Sequence, residues 1–363
     1  MENKPLVQFN SQQLKLARLA SGLTFGDIGE ALDVTRQYAS KLENGAIPSE
    51  EQLVVLSRVL SVEKSFFFKH RTKVIESEQC HFRSLRTSTQ KLKKTIMAQV
   101  EMLDSAIVSQ LDGEIEFPEV NIYSASECEF DTNISIELLA EKVRKIWGLG
   151  LGPISNMIRL LESVGCIVVN LSDADERIDA FSIHGNRPIV VRNTSKQSPG
   201  RMRFDFAHEL GHLIMHEGIE TGCRLTEQQA NNFASAFLLP RSSFAAEFPK
   251  IRGAYLNWEA LIQMKVRWGV SLKALIFRAR TLGLLSDEKA KSAYMYLAKN
   301  GYTKNERGDE LMFHESPSLL QQALDILDPH TSQSILDEAG LNVSTLASRY
   351  SLKVNVSPLK LVR

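Results

Sequence analysis

Three residues near the middle of the chain have the types and the spacing needed to bind a metal ion and activate water. They lie in the string His208-Glu209-Leu210-Gly211-His212, which matches the pattern H-E-x-x-H. On a helix, His208 and His212 are one turn apart on the same face, so both imidazoles can reach one ion. Glu209 projects from the next position round, where its carboxylate can act as general base toward water without being a ligand. The neighbouring residues are mostly apolar, which favours a core helix over a chance match.

A third metal ligand is predicted on the next helical segment, Leu225 to Pro240, with Thr226 as a candidate N-cap and Pro240 as its stop. Glu227 can complete a His₂Glu set with water in the fourth position, the ligand set of a catalytic zinc. Asn231, four residues further on the same polar face, can orient a ligating histidine. The alternative is that this face is only solvated. The expected cofactor is Zn²⁺, although ligand type alone also allows manganese or iron.

These two segments carry a resemblance to a known family. The string H-E-L-G-H-L-I-M-H, followed by E-x-x-A-N-x-F-A-x-x-x-L-L-P, resembles the ImmA/IrrE family of zinc metallopeptidases over roughly residues 150–300. The resemblance implies that His208, His212 and Glu227 bind the metal and that Glu209 is the catalytic base. His216, one turn further along, is also similar to the family pattern. It is either a substitute ligand, a donor on the oxyanion side, or a structural histidine beside the cleft.

The first 70 residues predict a separate helical module. Candidate N-caps at Ser11, Thr24, Thr35 and Ser49 begin four short amphipathic helices, and a final turn holds three phenylalanines at 66–68. Two short helices joined by a tight turn fit a helix-turn-helix. The string V-T-R-Q-Y-A-S-K-L-E-N-G resembles the recognition helix of the XRE/Cro family of DNA-binding domains.

In that family the first turn of the third helix faces base edges in the major groove. The resemblance therefore implies DNA contacts for Thr35, Arg36, Gln37, Ser40 and Lys41. Arginine and lysine suit guanine, and glutamine suits adenine. The alternative is that the module makes only protein contacts.

Two features qualify this DNA-binding hypothesis. Phe25 stands where the family usually has a glutamine that holds a phosphate, which leaves that contact open. Residues 1–80 contain ten basic and ten acidic side chains, so non-specific attraction to DNA should be modest.

The segment 71–134 is expected to be a basic linker, a long helix and an acidic connection. His81 to Thr95 has five basic residues and no acidic one, so it either adds phosphate contacts or is a solvated helix start. An amphipathic helix follows to about Leu111. It either bridges two domains or pairs with a second protomer, because Cro-type modules usually read two half-sites as a homodimer.

The overall fold is predicted to be mainly α with a small β-sheet (α+β). Helices at 135–147 and 153–164 precede three β-branched strands at 165–170, 179–184 and 188–193. In such a domain the edge strand commonly takes an extended substrate by β-augmentation. Arg201 and Arg203 either anchor the metal helix or bind substrate. The expected domains are a helix-turn-helix at 1–70, the linker at 71–134, a zincin-like metallopeptidase at 135–300 and a helical tail of unknown role at 301–363.

Composition restricts the location and the partners. The net charge is zero, 43% of residues are hydrophobic, and no long apolar run or signal peptide is present, so a membrane partner is not expected. Four scattered cysteines (80, 128, 166 and 223) read as free thiols of a cytoplasmic protein. Cys223 could approach the metal, but a bystander role is preferred.

Together these features favour a DNA-binding regulator with a zinc-dependent endopeptidase domain. The family resemblance implies that the substrate is a regulatory protein, a repressor or the chain itself, in the control of mobile-element, stress or toxin–antitoxin genes. The alternative hypothesis is a non-catalytic regulator or antitoxin that uses the metal domain as a binding or sensing platform.

Overall fold

A computed structural model describes residues 8–71, 74–75, 80–82, 90–125, 132–171, 180–193, 198–219, 221–251, 256–302 and 305–356. Within these ranges the protein is mainly helical with one four-stranded sheet, which confirms the predicted α+β class. None of the described helices is both long enough and apolar enough to cross a membrane.

The N-terminal module consists of four α-helices and a final 3₁₀ turn. The elements are α1 (Ser11–Ala20), α2 (Phe25–Ala31), α3 (Arg36–Glu43), α4 (Glu50–Leu60) and the 3₁₀ helix Lys64–Phe68. Thr24 and Ser49 each cap a helix through a reciprocal capping box, and Thr35 caps α3, as the sequence predicted. The cap of α1 is Asn10, not Ser11, because the Asn10 side chain accepts from the backbone of Gln12.

The linker helix is longer than predicted. It comprises α5 (Gln90–Leu103), a π-helical turn at Asp104–Val108 and α6 (Ser109–Glu114), and it packs against α1. Its buried residues share one core with the N-terminal module and the sheet, so it bridges the two parts of the molecule. Pairing with a second protomer stays a prediction. Residues 83–89 of the basic segment lie outside the described residues.

The sheet has the strand order β1-β3-β4-β2. Its strands are β1 (Cys80–Phe82), β2 (Ile167–Leu171), β3 (Phe181–Ile183) and β4 (Ile189–Asn193). Strands β2 and β4 are parallel, and β3 is antiparallel to both β4 and β1. Three strands match the predicted ones, although Asp179 lies outside the described residues. Strand β1 was not predicted, because three residues are too few to show an alternating pattern.

Between the linker and the tail, the part of the chain that the structure describes contains eight helices, and one of them, α9, carries the metal motif. In chain order they are α7 (Asn133–Ile146), α8 (Met157–Ser163), α9 (Pro199–Met215), α10 (Arg224–Leu238), α11 (Arg241–Glu247), α12 (Trp258–Trp268), α13 (Leu272–Thr281) and α14 (Asp287–Lys299). Thr132 caps α7 and Asn156 caps α8, so α7 begins slightly earlier, and α8 later, than predicted.

Arg201 and Arg203, near the start of α9, anchor this helix. Arg203 is ion-paired with buried Glu315 through Nε at 3.2 Å, and it donates to the carbonyl of Ile154. Arg201 donates to the carbonyl of Tyr302 at 3.1 Å. Of the two predicted roles, these contacts support anchoring.

The C-terminal tail packs against the N-terminal module. It contains α15 (Leu319–Ile326), α16 (Pro329–Ala339) and α17 (Val343–Tyr350), which pack in the same core as the N-terminal module. Helices α15 and α17 also contact β2. Arg349 donates to the Ser21 hydroxyl at 2.8 Å and to the carbonyl of Leu60 at 3.3 Å. These contacts lie at the ends of α1 and α4, while the first turn of α3 is exposed.

Candidate metal centre

Helices α9 and α10 pack closely enough to bring the predicted metal ligands together. His208 and His212 are fully buried on α9, and Glu227 lies in the first turn of α10. Gly211 sits between the histidines, where a Cβ atom would be 3.1 Å from Phe233 and 3.4 Å from the Cα of Ala230. The absence of a side chain at position 211 is therefore what lets the two helices approach.

The three side chains converge on one point. The Nε2 atoms of His208 and His212 are 3.1 Å apart, and each is 3.4 Å from a carboxylate oxygen of Glu227. Among the described residues, these three form the cluster of His, Cys, Asp and Glu whose ligand atoms lie within 4.8 Å of one another.

Hydrogen bonds on the far side of each imidazole fix its tautomer. His208 Nδ1 is 3.1 Å from the Asn231 amide oxygen, so Nδ1 carries the proton and donates it. His212 Nδ1 is 2.9 Å from His216 Nδ1, and His216 Nε2 is 2.9 Å from the Gln229 amide oxygen. Gln229 Oε1 can only accept, so His216 donates from Nε2 and accepts at Nδ1. Both ligand histidines therefore direct an Nε2 lone pair at the point of convergence.

This donor set fits a divalent cation. Two nitrogen lone pairs and a carboxylate facing one another would repel without a positive charge between them. Zn–N bonds of about 2.0–2.1 Å in a tetrahedron separate ligand atoms by roughly 3.3 Å, close to the spacings found here. The residues that hold the far sides of the histidines are the kind of outer partners that metal-ligating histidines require.

The protonation states agree with this arrangement. Burial acts to raise the pKa of Glu227, but hydrogen bonds and charge interactions with the protonated forms of His208 and His212 outweigh it and lower the pKa to about 2. In their neutral forms the two imidazoles no longer donate to Glu227 and direct their Nε2 lone pairs at the point of convergence instead. Burial is the main cause that lowers the pKa of His216 to about 4, so this imidazole is neutral near pH 7. Glu227 is then available as an anionic ligand and His216 as a neutral acceptor.

Glu209 is next to this cluster but not part of it. The side chain is fully buried, and the hydroxyl of Ser182 on β3 donates to its Oε2 at 2.8 Å. A carboxylate held beside the ligands in this way has the position expected of a general base.

Sequence analysis did not predict that Ser182 and Gln229 belong to the site. A serine inside a strand and a glutamine outside the ligand-bearing face of α10 carry no signal of their own. Only the register of β3 over α9, and the path of the chain after His216, reveal their roles.

Cys223 lies at the start of α10. It caps α10 through its sulfur, which accepts from the backbone of Thr226 at 3.5 Å, so Thr226 is not the cap as predicted. Cys223 does not belong to the ligand cluster found among the described residues.

The predicted DNA-contacting residues form an exposed surface on α3. Thr35, Arg36, Gln37 and Lys41 are exposed, and Ser40 is half-buried. Ala39 and Leu42 face inward, as predicted, and hold α3 against the module's core. The surface thus offers cationic and amide side chains at one helix face.

Beneath this surface a buried ion pair stabilises the module. Arg18 on α1 pairs with Glu43 at the end of α3, with its Nη2 3.0 Å from a carboxylate oxygen, and the Arg18 guanidinium lies 4.3 Å from the centroid of the Phe25 ring. Phe25 therefore packs on a structural cation in the position where the XRE/Cro family usually has a phosphate-binding glutamine.

The fold and the site thus define a DNA-binding module combined with a domain built on a metal-binding helix. Comparison with known families agrees: a helix-turn-helix family model matches residues 14–67. The model of the IrrE N-terminal-like domain, a metallopeptidase family, matches residues 161–280. The two matches confirm the predicted recognition of an XRE-type helix-turn-helix domain and an ImmA/IrrE-type domain in one chain. None of the curated proteins matches it.

Proposed function

We propose that this protein is a transcriptional regulator that carries a zinc-dependent endopeptidase. The peptidase cleaves a regulatory protein, either a repressor or the chain itself, and so controls mobile-element, stress or toxin–antitoxin genes. The observation that carries the catalytic part is the buried carboxylate of Glu209, held by Ser182 beside the three convergent ligand atoms. A site that only bound a metal would have no need of it.

The residues divide the chemistry between them. His208, His212 and Glu227 would hold the metal ion, which when bound polarises a substrate carbonyl and lowers the pKa of water. Glu209 takes a proton from the attacking water and delivers it to the leaving amine. The Ser182 hydroxyl keeps the Glu209 carboxylate in one orientation during both transfers. Asn231 and His216 keep the two ligand imidazoles in the correct tautomer.

The catalytic role is tested by replacing Glu209 with glutamine. The variant and the wild type are loaded with zinc to equal occupancy and incubated with a host lysate, and new N-termini, including those of the chain itself, are read by mass spectrometry. We expect cleavage by Glu209→Gln to be about 10²–10⁴-fold slower.

Glu217→Gln is the matched control, because Glu217 is exposed just after α9 and bonds to Ser124 at 2.9 Å. It should cleave like the wild type. Equal cleavage by Glu209→Gln would favour the non-catalytic regulator with a metal-binding platform.

The DNA-binding role is tested on duplexes selected from a random library with the wild type. Arg36→Ala should weaken binding to the selected duplex by about 5- to 150-fold, since a bidentate base contact is worth about 1–3 kcal/mol. Arg58→Ala, an exposed arginine on α4, is the control and should change affinity little. The same loss in both variants would argue against base recognition by α3.

A further inference from the structure

Strand β1 comes from the linker between the helix-turn-helix and α5, yet it pairs with the sheet of the metal domain. Its three residues are antiparallel to β3, with Cys80 opposite Ile183, His81 opposite Ser182 and Phe82 opposite Phe181. Among the described residues, β1 thus forms one edge of the sheet and β2 the other.

Strand β3 is the strand nearest the catalytic groups. Ser182 donates to Glu209, and His184, just beyond the strand, forms a hydrogen bond with the backbone of His212. Strand β3 therefore runs over the segment of α9 that carries the base and a metal ligand.

The helices that pack on the sheet show which of its two edges lies nearer the candidate metal centre. Helix α8 contacts β2 and α9 contacts β3, so the helix layer and the strand order β2-β4-β3-β1 advance together. The edge of β3 that pairs with β1 lies on the side of the sheet away from β2 and α8. A strand paired with it lies about 4.8 Å from β3, beside the strand that holds Glu209.

An extended peptide commonly binds a protein by adding a strand to an exposed sheet edge. On this sheet the edge of β3 is the one beside the proposed catalytic base, and β1 already occupies it. We propose that β1 is an in-chain occupant of the substrate edge, which keeps the peptidase closed until β1 is displaced. This inference rests on the proposed peptidase function and adds its regulation.

The segment leading into β1 is fixed to the linker helix. Arg71 pairs with buried Glu101 on α5 at 2.5 Å, and the backbone of Ile75 donates to the same carboxylate at 3.3 Å. This attachment keeps β1 close to its edge and gives it a high effective concentration over any peptide supplied from outside. The attachment runs through α5, which packs on α1 of the DNA-binding module.

A peptide-binding experiment tests the proposal on the full-length, zinc-loaded protein. The probe is a fluorescein-labelled peptide with the sequence of residues 76–88, and Glu209→Gln is present so that the probe is not consumed. Adjacent residues of a strand direct their N–H groups to opposite sides, so one of Cys80 and His81 donates toward β3 and the other donates away from it. The double variant Cys80→Pro/His81→Pro therefore removes one N–H that points to β3, whichever of the two residues carries it. The matched control, Cys80→Ala/His81→Ala, keeps both N–H groups.

We expect the proline variant to bind the probe at least tenfold more tightly than the wild type or the alanine variant. Equal binding by all three proteins, or no binding by any of them, would overturn the proposal. Circular dichroism and binding to the selected duplex check that the proline variant remains folded.

Activity separates this inference from the proposed function. With Glu209 restored, the proline variant should cleave the substrates found in the host lysate at least tenfold faster than the wild type does. Tighter binding without cleavage would refute the peptidase and retain β1 as the occupant of the edge. Equally fast cleavage by the wild type and the proline variant would retain the peptidase and refute the closed state.

Discussion

The two faces of the sheet belong to two different hydrophobic cores. Alternate residues of β2 and β4 divide between them: Val168 and Val190 face the core that contains α9 and α10, while Val169 and Val191 face the core of the N-terminal module. The second core also contains the linker helix and the C-terminal tail. The sheet thus separates the two cores: the core of the DNA-binding module lies on one face, and the core that contains the metal centre lies on the other.

The two sides are stabilised in different ways. On the side of the metal centre, buried polar groups converge and satisfy one another, as the relay from His212 through His216 to Gln229 shows. On the other side, apolar packing is supplemented by separate ion pairs, Arg18–Glu43 and Arg71–Glu101, and by hydrogen bonds at the contact between the tail and the N-terminal module. Substitutions on the two sides should therefore produce different kinds of failure.

The largest effect is expected at the contact between the tail and the N-terminal module. Gly340 has φ +65°, and a Cβ there would lie 2.7 Å from the backbone N and Cα of Phe66. Gly340→Ala should cost about 3 kcal/mol of unfolding free energy, measured in urea, by adding overlap to a left-handed conformation.

Gly283→Ala is the control for this prediction. Gly283 has φ +72°, but no atom lies within 4 Å of a Cβ placed there. It should cost only about 1 kcal/mol, the contribution of the backbone conformation alone. Equal losses in the two variants would mean that the tail does not pack against Phe66 as described.

Adjacent valines of β2 test whether the two cores are separate. Val168→Ala and Val169→Ala each remove a nearly fully buried side chain, at 1% and 3% exposure, and each should cost about 2 kcal/mol. The rate of amide hydrogen exchange should increase in α9 and α10 for Val168→Ala, and in α5 and the tail for Val169→Ala. The same exchange pattern in both variants would contradict the division by the sheet.

A tenfold effect is expected where α9 meets α10. In Gly211→Ala the new methyl group meets Phe233, and α10 must move by a few tenths of an ångström, taking Glu227 with it. Zinc affinity, measured by competition with a chelator, should fall about tenfold, as when the support of a ligand is disturbed. Gly113→Ala in α6, where a Cβ meets no atom within 4 Å, should leave zinc affinity unchanged.

The convergence of the candidate ligands could be predicted from sequence because helical spacing places His208 and His212 on one face of a helix, and Glu227, four residues before Asn231, lies on the polar face of the next helix. Ser182 could not, because its role depends on the register of β3 over α9. The three residues of β1 are too short for a pattern, and their pairing is set by distant parts of the chain. The sequence predicts a helical tail, but a helical pattern alone does not indicate which part of the molecule covers its apolar face.

The smallest effect should come from a single hydroxyl group in the tail. Tyr350 is buried, and its hydroxyl donates to the carbonyl of Gln99 at 2.7 Å. Tyr350→Phe should cost about 1 kcal/mol or less at pH 7, since the carbonyl can keep its partner within α5. Tyr296→Phe, at 39% exposure, is the control and should change stability by less than about 0.5 kcal/mol.

The same tyrosine should make stability depend on pH in the alkaline range. Burial raises the pKa of Tyr350 above its ordinary value of 10. Above pH 10 the unfolded chain releases the phenolic proton before the folded protein does, so the stability contributed by Tyr350 is lost as pH rises toward the folded-state pKa. Urea titrations at successive pH values should show a steeper alkaline loss for the wild type than for Tyr350→Phe. Parallel curves would mean that the Tyr350 side chain is not buried against α5, and that the tail does not contact the linker helix at this point.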